Sequence, residues 1–259
     1  VRPSPAQHAA RRGQRPVPDG VRTLTISNRN DPAAMQQLFN AVRDDFDVLI
    51  DCICYEPEAM RTVLELFRNR IGRLLFISTD FVYNPWLRRF PQPVDSPCLS
   101  DDVNGTQSYG YKKRVCELLL EQEPTLSWTV FRPCHIYGMP SLLGCLPMHA
   151  RDKELLRRIL DGETLTLVDG GRSLQQPIEV NDLAATVISA AFAPGAHRRY
   201  FNTAGPDIVE SRQYYEIIAA ALGVKLKYTA LSREAYLEGK DGIFPMVCHR
   251  IYRLDDFVA

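Results

Sequence analysis

The stretch RLLFIST, residues 73–79, reads as a short apolar strand that runs out on a hydroxyl, Thr79. Just before it, Met60, Val63, Leu64 and Phe67 recur at helical spacing and predict a helix over about 56–70. Further upstream, FDVLIDCIC (46–54) reads as another strand, preceded by a helix with Pro32 at its first position. Asn30 or Asp31 caps that helix, and Met35, Leu38, Phe39 and Val42 form its buried stripe. VRTLTIS (21–27) is the earliest strand. Downstream of Thr79, a polar stretch over 84–107, rich in Pro, Asp and Ser, reads as a surface loop; loops of that length in compact domains tend to be functional. A helix over 108–121 and the strand SWTVFR, ending at Arg132, follow. Strands alternating with helices in this way call for a parallel sheet covered on both faces.

Beyond Pro133 the rhythm changes to a long loop, a helix near 152–160 closed by Gly162, a short strand and a helix after Asn181. YFNTAG, SRQYYEIIAAALG and VKLKYTA then read as strand, helix and strand. The expected architecture is α/β: a Rossmann-like doubly wound parallel sheet over 21–150, lacking its first strands. A small carboxy-terminal substrate lobe over 151–259 would mix strands and helices that return to the core. Residues 1–20, with their Pro, Arg and Gly, read as coil or as the remnant of a second strand.

A chain of 259 residues with 45% hydrophobic content can bury a full core. Its 31 basic and 31 acidic residues cancel, so no global field draws it to nucleic acid or to an anionic membrane. It contains no run of about 18 apolar residues, and residues 1–20 carry no apolar signal core. The seven cysteines are odd in number and lack the paired short spacings of a zinc site or a disulfide framework, so a reducing cytoplasm is the expected home. His135 lies beside Cys134 without a third ligand at a suitable spacing, and no metal is expected.

Chemistry gathers around Thr79, Tyr109 and Lys113. Four residues apart, Tyr109 and Lys113 share a helix face. A nearby ammonium favours the phenolate, drawing a tyrosine pKa from about 10 toward working pH, where it can give or take a proton. Tyr236 and Lys240 have the same spacing, but no hydroxyl-bearing strand end precedes them and Gly239 weakens the helix they need. Trp86, Arg88 and Arg89 sit on the long loop, either as contacts to a substrate phosphate or as surface anchors.

FISTDFVYNP (76–85) resembles the strand-end motif of the extended short-chain dehydrogenases/reductases, the NAD-dependent epimerase/dehydratase family, and most of all the STDYVF form of dTDP-dehydrorhamnose reductases. YGYKK (109–113) is similar to the family's YGxSK helix, FRPCHIYG (131–138) to its RPxxVYG segment, and QPIEVNDLA (176–184) to its PIHVDDLA. The resemblance implies an NAD- or NADP-dependent reductase or epimerase that transfers hydride to and from a nucleotide-sugar-like substrate. By the same resemblance Thr79 polarises the substrate oxygen, Tyr109 is the acid/base, and Lys113 holds the nicotinamide ribose and lowers the tyrosine pKa. Pro133 and His135 would line the nicotinamide pocket, with Cys52, Ile53 and Cys54 along the cofactor. A homodimer through the tyrosine-bearing helix and its neighbour is also implied. A dehydratase needs an acid pair after the hydroxyl residue; here Asp80 and then Phe81 follow Thr79, which favours reduction or epimerisation.

The departures are equally specific. No GxxGxxG turn is present to hold a pyrophosphate, and the early glycines are Gly13 and Gly20. The chain is therefore expected to be a fragment or to start at a mis-set position, with strand 21–27 either keeping its place or sliding beside 46–54. RRGQRP (11–16) looks like the end of the family's second strand; there Arg12 leans the cofactor toward NADP, the alternative being a solvated basic coil. Asn28, with Arg29 after it, stands where the family usually carries an Asp near adenine. Relatives of this fold that became RNA-binding or dinucleotide-sensing proteins supply a rival reading, and an inactive fragment a third. Keeping Thr79, Tyr109 and Lys113 together favours the enzyme.

Overall fold

The computed structural model describes residues 7–11 by their backbone, together with 19–99, 108–139, 142–150, 152–239 and 247–254. Strands β1 (Gln7–Arg11) and β2 (Val21–Thr25) pair in parallel. In α1 (Pro32–Ala41) the Asp31 carboxylate accepts from Ala33 N at 2.9 Å, satisfying one of the helix's unpaired amides. There follow β3 (Phe46–Asp51), α2 (Pro57–Phe67), β4 (Ile71–Ile77), α3 (Tyr109–Gln122) and β5 (Ser127–Pro133). The later part comprises β6 (Ile136–Tyr137), α4 (Leu155–Leu160), β7 (Thr164–Val168), β8 (Leu174–Gln175), β9 (Ile178–Glu179) and α5 (Val180–Phe192). β10 (Arg199–Thr203), β11 (Val209–Glu210), α6 (Ser211–Ala221), β12 (Lys227–Leu231) and α7 (Arg233–Leu237) complete it.

The central sheet runs β10-β5-β4-β3, all parallel. In β4, Leu74, Leu75 and Phe76 are all fully buried because helices cover both faces. Leu74 and Phe76 join the cluster of Met60, Val63, Cys116 and Leu120 from α2 and α3, whereas Leu75 joins Leu183 and Val187 of α5 on the opposite side. Each such side chain contributes about 1.5–3 kcal/mol. Arg73 fastens α5 to the sheet, donating to the carbonyls of Ala190 (2.7 Å) and Ala193 (2.8 Å) at the helix end, where carbonyls lack intrahelical partners. In the carboxy-terminal lobe β7 and β12 pair in parallel, and α4 and α6 cover a cluster containing Leu155, Ile159, Leu165 and Tyr215. β10, although late in the chain, belongs to the central sheet.

Several expectations are corrected. Of the two readings of residues 1–20, coil or strand remnant, residues 7–11 take the strand, because a parallel ladder is made by main-chain groups and asks little of side-chain pattern. β2 does not slide beside β3: it pairs with β1, and among the described strands none lies on the other edge of β3. Side chains hold the β2–α1 unit instead, since Ile26 and Met35 are buried in the same cluster as Met60 and Leu74. The strand expected over 46–54 stops at Asp51, whose carboxylate accepts from Ile53 N at 3.1 Å and turns the chain. The polar stretch from residue 84 is packed rather than merely superficial: Gln92 and Ser96 are buried, and a bridge between Tyr83 and Cys98 closes it. Its residues 100–107 lie outside the described residues.

Candidate active site

The carboxy-terminal ends of β3, β4 and β5 meet the start of α3, the side of a doubly wound sheet where ligands bind. Beyond β4, Thr79 caps a short turn over 80–82: its hydroxyl accepts from Phe81 N at 3.3 Å and donates to Asp80 Oδ1 at 3.4 Å. Ser108 caps α3, accepting from Tyr111 N at 3.4 Å. A Cβ at Gly110 would stand 2.2 Å from the carbonyl oxygen of Phe81, so only glycine lets α3 begin against this turn. That approach sets the Tyr109 ring 6.3 Å from Phe81 and 5.9 Å from Tyr55, centroid to centroid. Tyr109 is 46% exposed, whereas Lys113, one turn on, is 1% exposed.

Lys113 Nζ donates to the carbonyl of Ile77 at 2.6 Å and lies 4.8 Å above the Tyr55 ring and 4.6 Å above Phe76. Burial lowers its pKa, partly opposed by Cys54 and Asp51. Thr79 and Tyr109 each neighbour Phe81, while the Lys113 ammonium reaches the end of β4 at Ile77 and the Tyr55 ring.

Beneath them lie buried ion pairs. Glu117 accepts from Ser78 Oγ (2.6 Å), Arg132 Nε (3.1 Å) and Nη2 (2.8 Å), and Arg114 Nη1 (3.0 Å). Asp80 receives the fork of Arg250, Nε at 2.7 Å and Nη2 at 2.8 Å, and the Tyr252 hydroxyl as well. Arg29 pairs with Asp51 at the end of β3, and its Nη1 is buried without a partner among the described residues. Periodicity points to none of the Asp80, Arg250 and Tyr252 contacts. Glu117 carried a signal, since it stands one turn beyond Lys113 on the same face and an arginine interrupts the apolar strand that follows.

Among the residues expected along a cofactor, Cys52 and Ile53 are exposed just past β3, and Cys54 is buried, a hydrogen bond with Cys116 lowering its thiol pKa. Pro133 is buried at the end of β5. His135 faces α6, Nε2 standing 3.3 Å from the Tyr214 hydroxyl; burial, helped by the Arg250 charge, lowers its pKa to about 4, so the imidazole is neutral. Asn28 sits in an exposed turn and accepts from Asn30 N at 3.1 Å. Arg12 lies outside the described residues.

A cleft of about 870 Å³ opens between the 85–90 loop, the carboxy-terminal lobe and residues 247–249. Its walls carry Arg88, Arg172, Arg212 and Arg233 against Asp169, with Trp86 and Tyr228 as flat apolar faces. Arg88 Nε is buried without a partner among the described residues. Such a wall favours an anion carrying a planar group. Thr79, Tyr109 and Lys113 do not line it; residues 247–249 and the loop after Tyr83 connect the two. Among the described residues no group of three or more His, Cys, Asp or Glu is placed to hold a metal ion, and no helix is long and apolar enough to cross a membrane.

A parallel sheet wound on both sides defines a Rossmann-like architecture. The model of the NAD dependent epimerase/dehydratase family matches residues 21–219, and the chain belongs to that family. In fold it resembles UDP-glucose 4-epimerase of Thermotoga maritima, solved with UDP-glucose: 18% identity, 92% of this chain and 77% of that one covered, TM-score 0.70. UDP-N-acetylglucosamine 4-epimerase of Methanobrevibacter ruminantium gives 18% identity, 92% and 76% coverage and a TM-score of 0.69. dTDP-glucose 4,6-dehydratase of Bacillus anthracis, solved with NAD, gives 15%, 92% and 73%, and 0.68. No match was found among curated proteins.

Proposed function

We propose that the chain is an NAD-dependent epimerase or reductase of nucleotide sugars, with Tyr109 as acid/base, Lys113 as its electrostatic partner and Thr79 as the residue that orients the substrate oxygen. The observation that carries this reading is the packing of Tyr109 against Tyr55, over whose ring the buried Lys113 ammonium lies, and against Phe81 in the turn that Thr79 caps. The Thr79 hydroxyl, donating to Asp80, presents a lone pair to a substrate hydroxyl. Tyr109 is exposed enough to reach a substrate and to exchange its proton. Neutral His135 can donate or accept a hydrogen bond without adding charge beside the reacting carbon.

The nicotinamide side of a dinucleotide fits Tyr109, Lys113, Pro133, His135 and the end of β3, while Nη1 of Arg29, without a partner among the described residues, fits an anionic group. When bound, NAD supplies a hydride acceptor. NADP is the finer alternative, resting on Arg12. A nucleotide sugar is favoured by the arginine cleft, whose Arg88 and Arg172 match a diphosphate, Arg212 being paired with Glu210 and Glu216, and whose Trp86 and Tyr228 match a base. Both oxygens of Asp80 are engaged by Arg250, and Phe81 occupies the next position, which favours epimerisation or reduction over dehydration.

The test is chromatographic conversion of UDP-glucose by the full chain with NAD, comparing the wild type with Tyr109→Phe, Lys113→Met and Thr79→Val. Turnover is expected to fall by about 100-fold or more in the first two variants. Wild-type rates in Tyr109→Phe and Lys113→Met refute the assignment.

A further inference from the structure

We infer that Arg250 is a positioning residue for Thr79 and Tyr109, and that it connects them to the wall of the arginine cleft. The inference rests on the reading of Thr79 and Tyr109 given above. Arg250 is 3% exposed, and its guanidinium does two things at once. Its fork grips both oxygens of Asp80, the residue to which the Thr79 hydroxyl donates, so it decides where that proton points. Its Cζ also lies 5.0 Å from the centroid of the Phe81 ring, which meets Tyr109 edge-on at 6.3 Å. A single cation from the far end of the chain therefore backs both groups that would meet the substrate oxygen.

The segment carrying Arg250 is held from both sides. Arg250 N donates to Leu174 O at 2.8 Å and Tyr252 N to Gln176 Oε1 at 2.7 Å, both on the lobe. Gln92 N donates to Ile251 O at 2.8 Å from the long loop. Residues 247–249, immediately before Arg250, line the cleft, and His249 O accepts from Arg88 Nη1 at 3.3 Å. An anion drawing on Arg88 thus acts on the segment that bears Arg250. Binding in the cleft and the set of the Thr79 hydroxyl share one rigid connection, so loss of Arg250 acts on turnover more than on affinity.

A buried ion pair that serves structure alone can be exchanged for apolar side chains of similar volume, often with no loss of stability, whereas one that aims a neighbour cannot. Arg250→Lys, Asp80→Asn and the double variant Asp80→Leu/Arg250→Met are to be compared with the wild-type full chain, using UDP-glucose and NAD. In the double variant the urea midpoint returns to the wild-type value while kcat stays about 10- to 100-fold low and KM for UDP-glucose changes by less than about threefold. In parallel, the Tyr109 line of protein labelled with 13Cζ-tyrosine, assigned with Tyr109→Phe, shifts in Arg250→Lys while the remote Tyr228 line stays. Recovery of both kcat and midpoint in the double variant, or an unmoved Tyr109 line, overturns the inference. Full activity in Tyr109→Phe and Thr79→Val overturns the catalytic reading instead; the Tyr109 line, which needs no turnover, still decides the role of Arg250. If Arg250→Lys fails to fold, the double variant carries the same measurements.

Discussion

Replacing Glu117 with leucine takes a carboxylate of 0% exposure out of contact with Ser78 Oγ and two guanidinium nitrogens of Arg132, itself 2% exposed. Arg132 keeps Nη1 donating to the Tyr83 hydroxyl at 3.2 Å and to Val94 O at 3.0 Å, and it lies 4.3 Å above the Tyr200 ring, so its charge is solvated in part. The counter-charge is gone all the same, and breaking a buried pair from one side costs about 3–5 kcal/mol. At this chain length that lowers the melting midpoint by roughly 6–10 °C. Glu117→Leu/Arg132→Met removes both charges of that pair, and Arg114, which also loses Glu117, keeps Glu121 at 3.0 Å, so the variant should return to within about 2 kcal/mol of the wild type. Urea denaturation followed by the fluorescence of Trp128, buried in the same strand as Arg132, measures all the variants. The reasoning is refuted if Glu117→Leu costs less than about 1 kcal/mol, or if the double variant is no more stable than the single one.

Three further outcomes are expected. Gly110→Ala drives a methyl group into the Phe81 carbonyl, a backbone atom that cannot swing aside; thermal melts should show a loss of about 1–3 kcal/mol, with a fall in turnover as Tyr109 moves. His135 has a folded pKa near 4, below its unfolded value of about 6.5, so the unfolded chain binds more protons between these values. The stability it contributes is present above about pH 6.5 and is lost as pH falls toward 4; His135→Phe should flatten that loss, and equal acid sensitivity in both proteins would exclude the effect. Arg172→Ala and Arg88→Ala should each weaken UDP binding in calorimetry and make it less salt-dependent; unchanged affinity in both places the nucleotide elsewhere.

Local geometry made much of this molecule readable from its order of residues. Asp31 before Pro32 sets a helix start wherever the chain goes, and RLLFIST can hold three fully buried side chains in a row only inside a sheet covered on both faces. The spacing of Tyr109 and Lys113, likewise, follows from the pitch of one helix. Partner choice is different. Nothing in VRTLT states that it lies against residues 7–11 rather than β3, because parallel ladders are written in main-chain atoms common to every sequence. Asp80 and Arg250 stand 170 positions apart, and Arg29 meets Asp51 only once α1 has docked. Hydrophobic periodicity records which face of an element is buried, and says nothing of which charge waits on the other side. Those pairings, and with them the orientation of the Thr79 hydroxyl, were decided when the helices, the loop and the last segment closed over the strand ends.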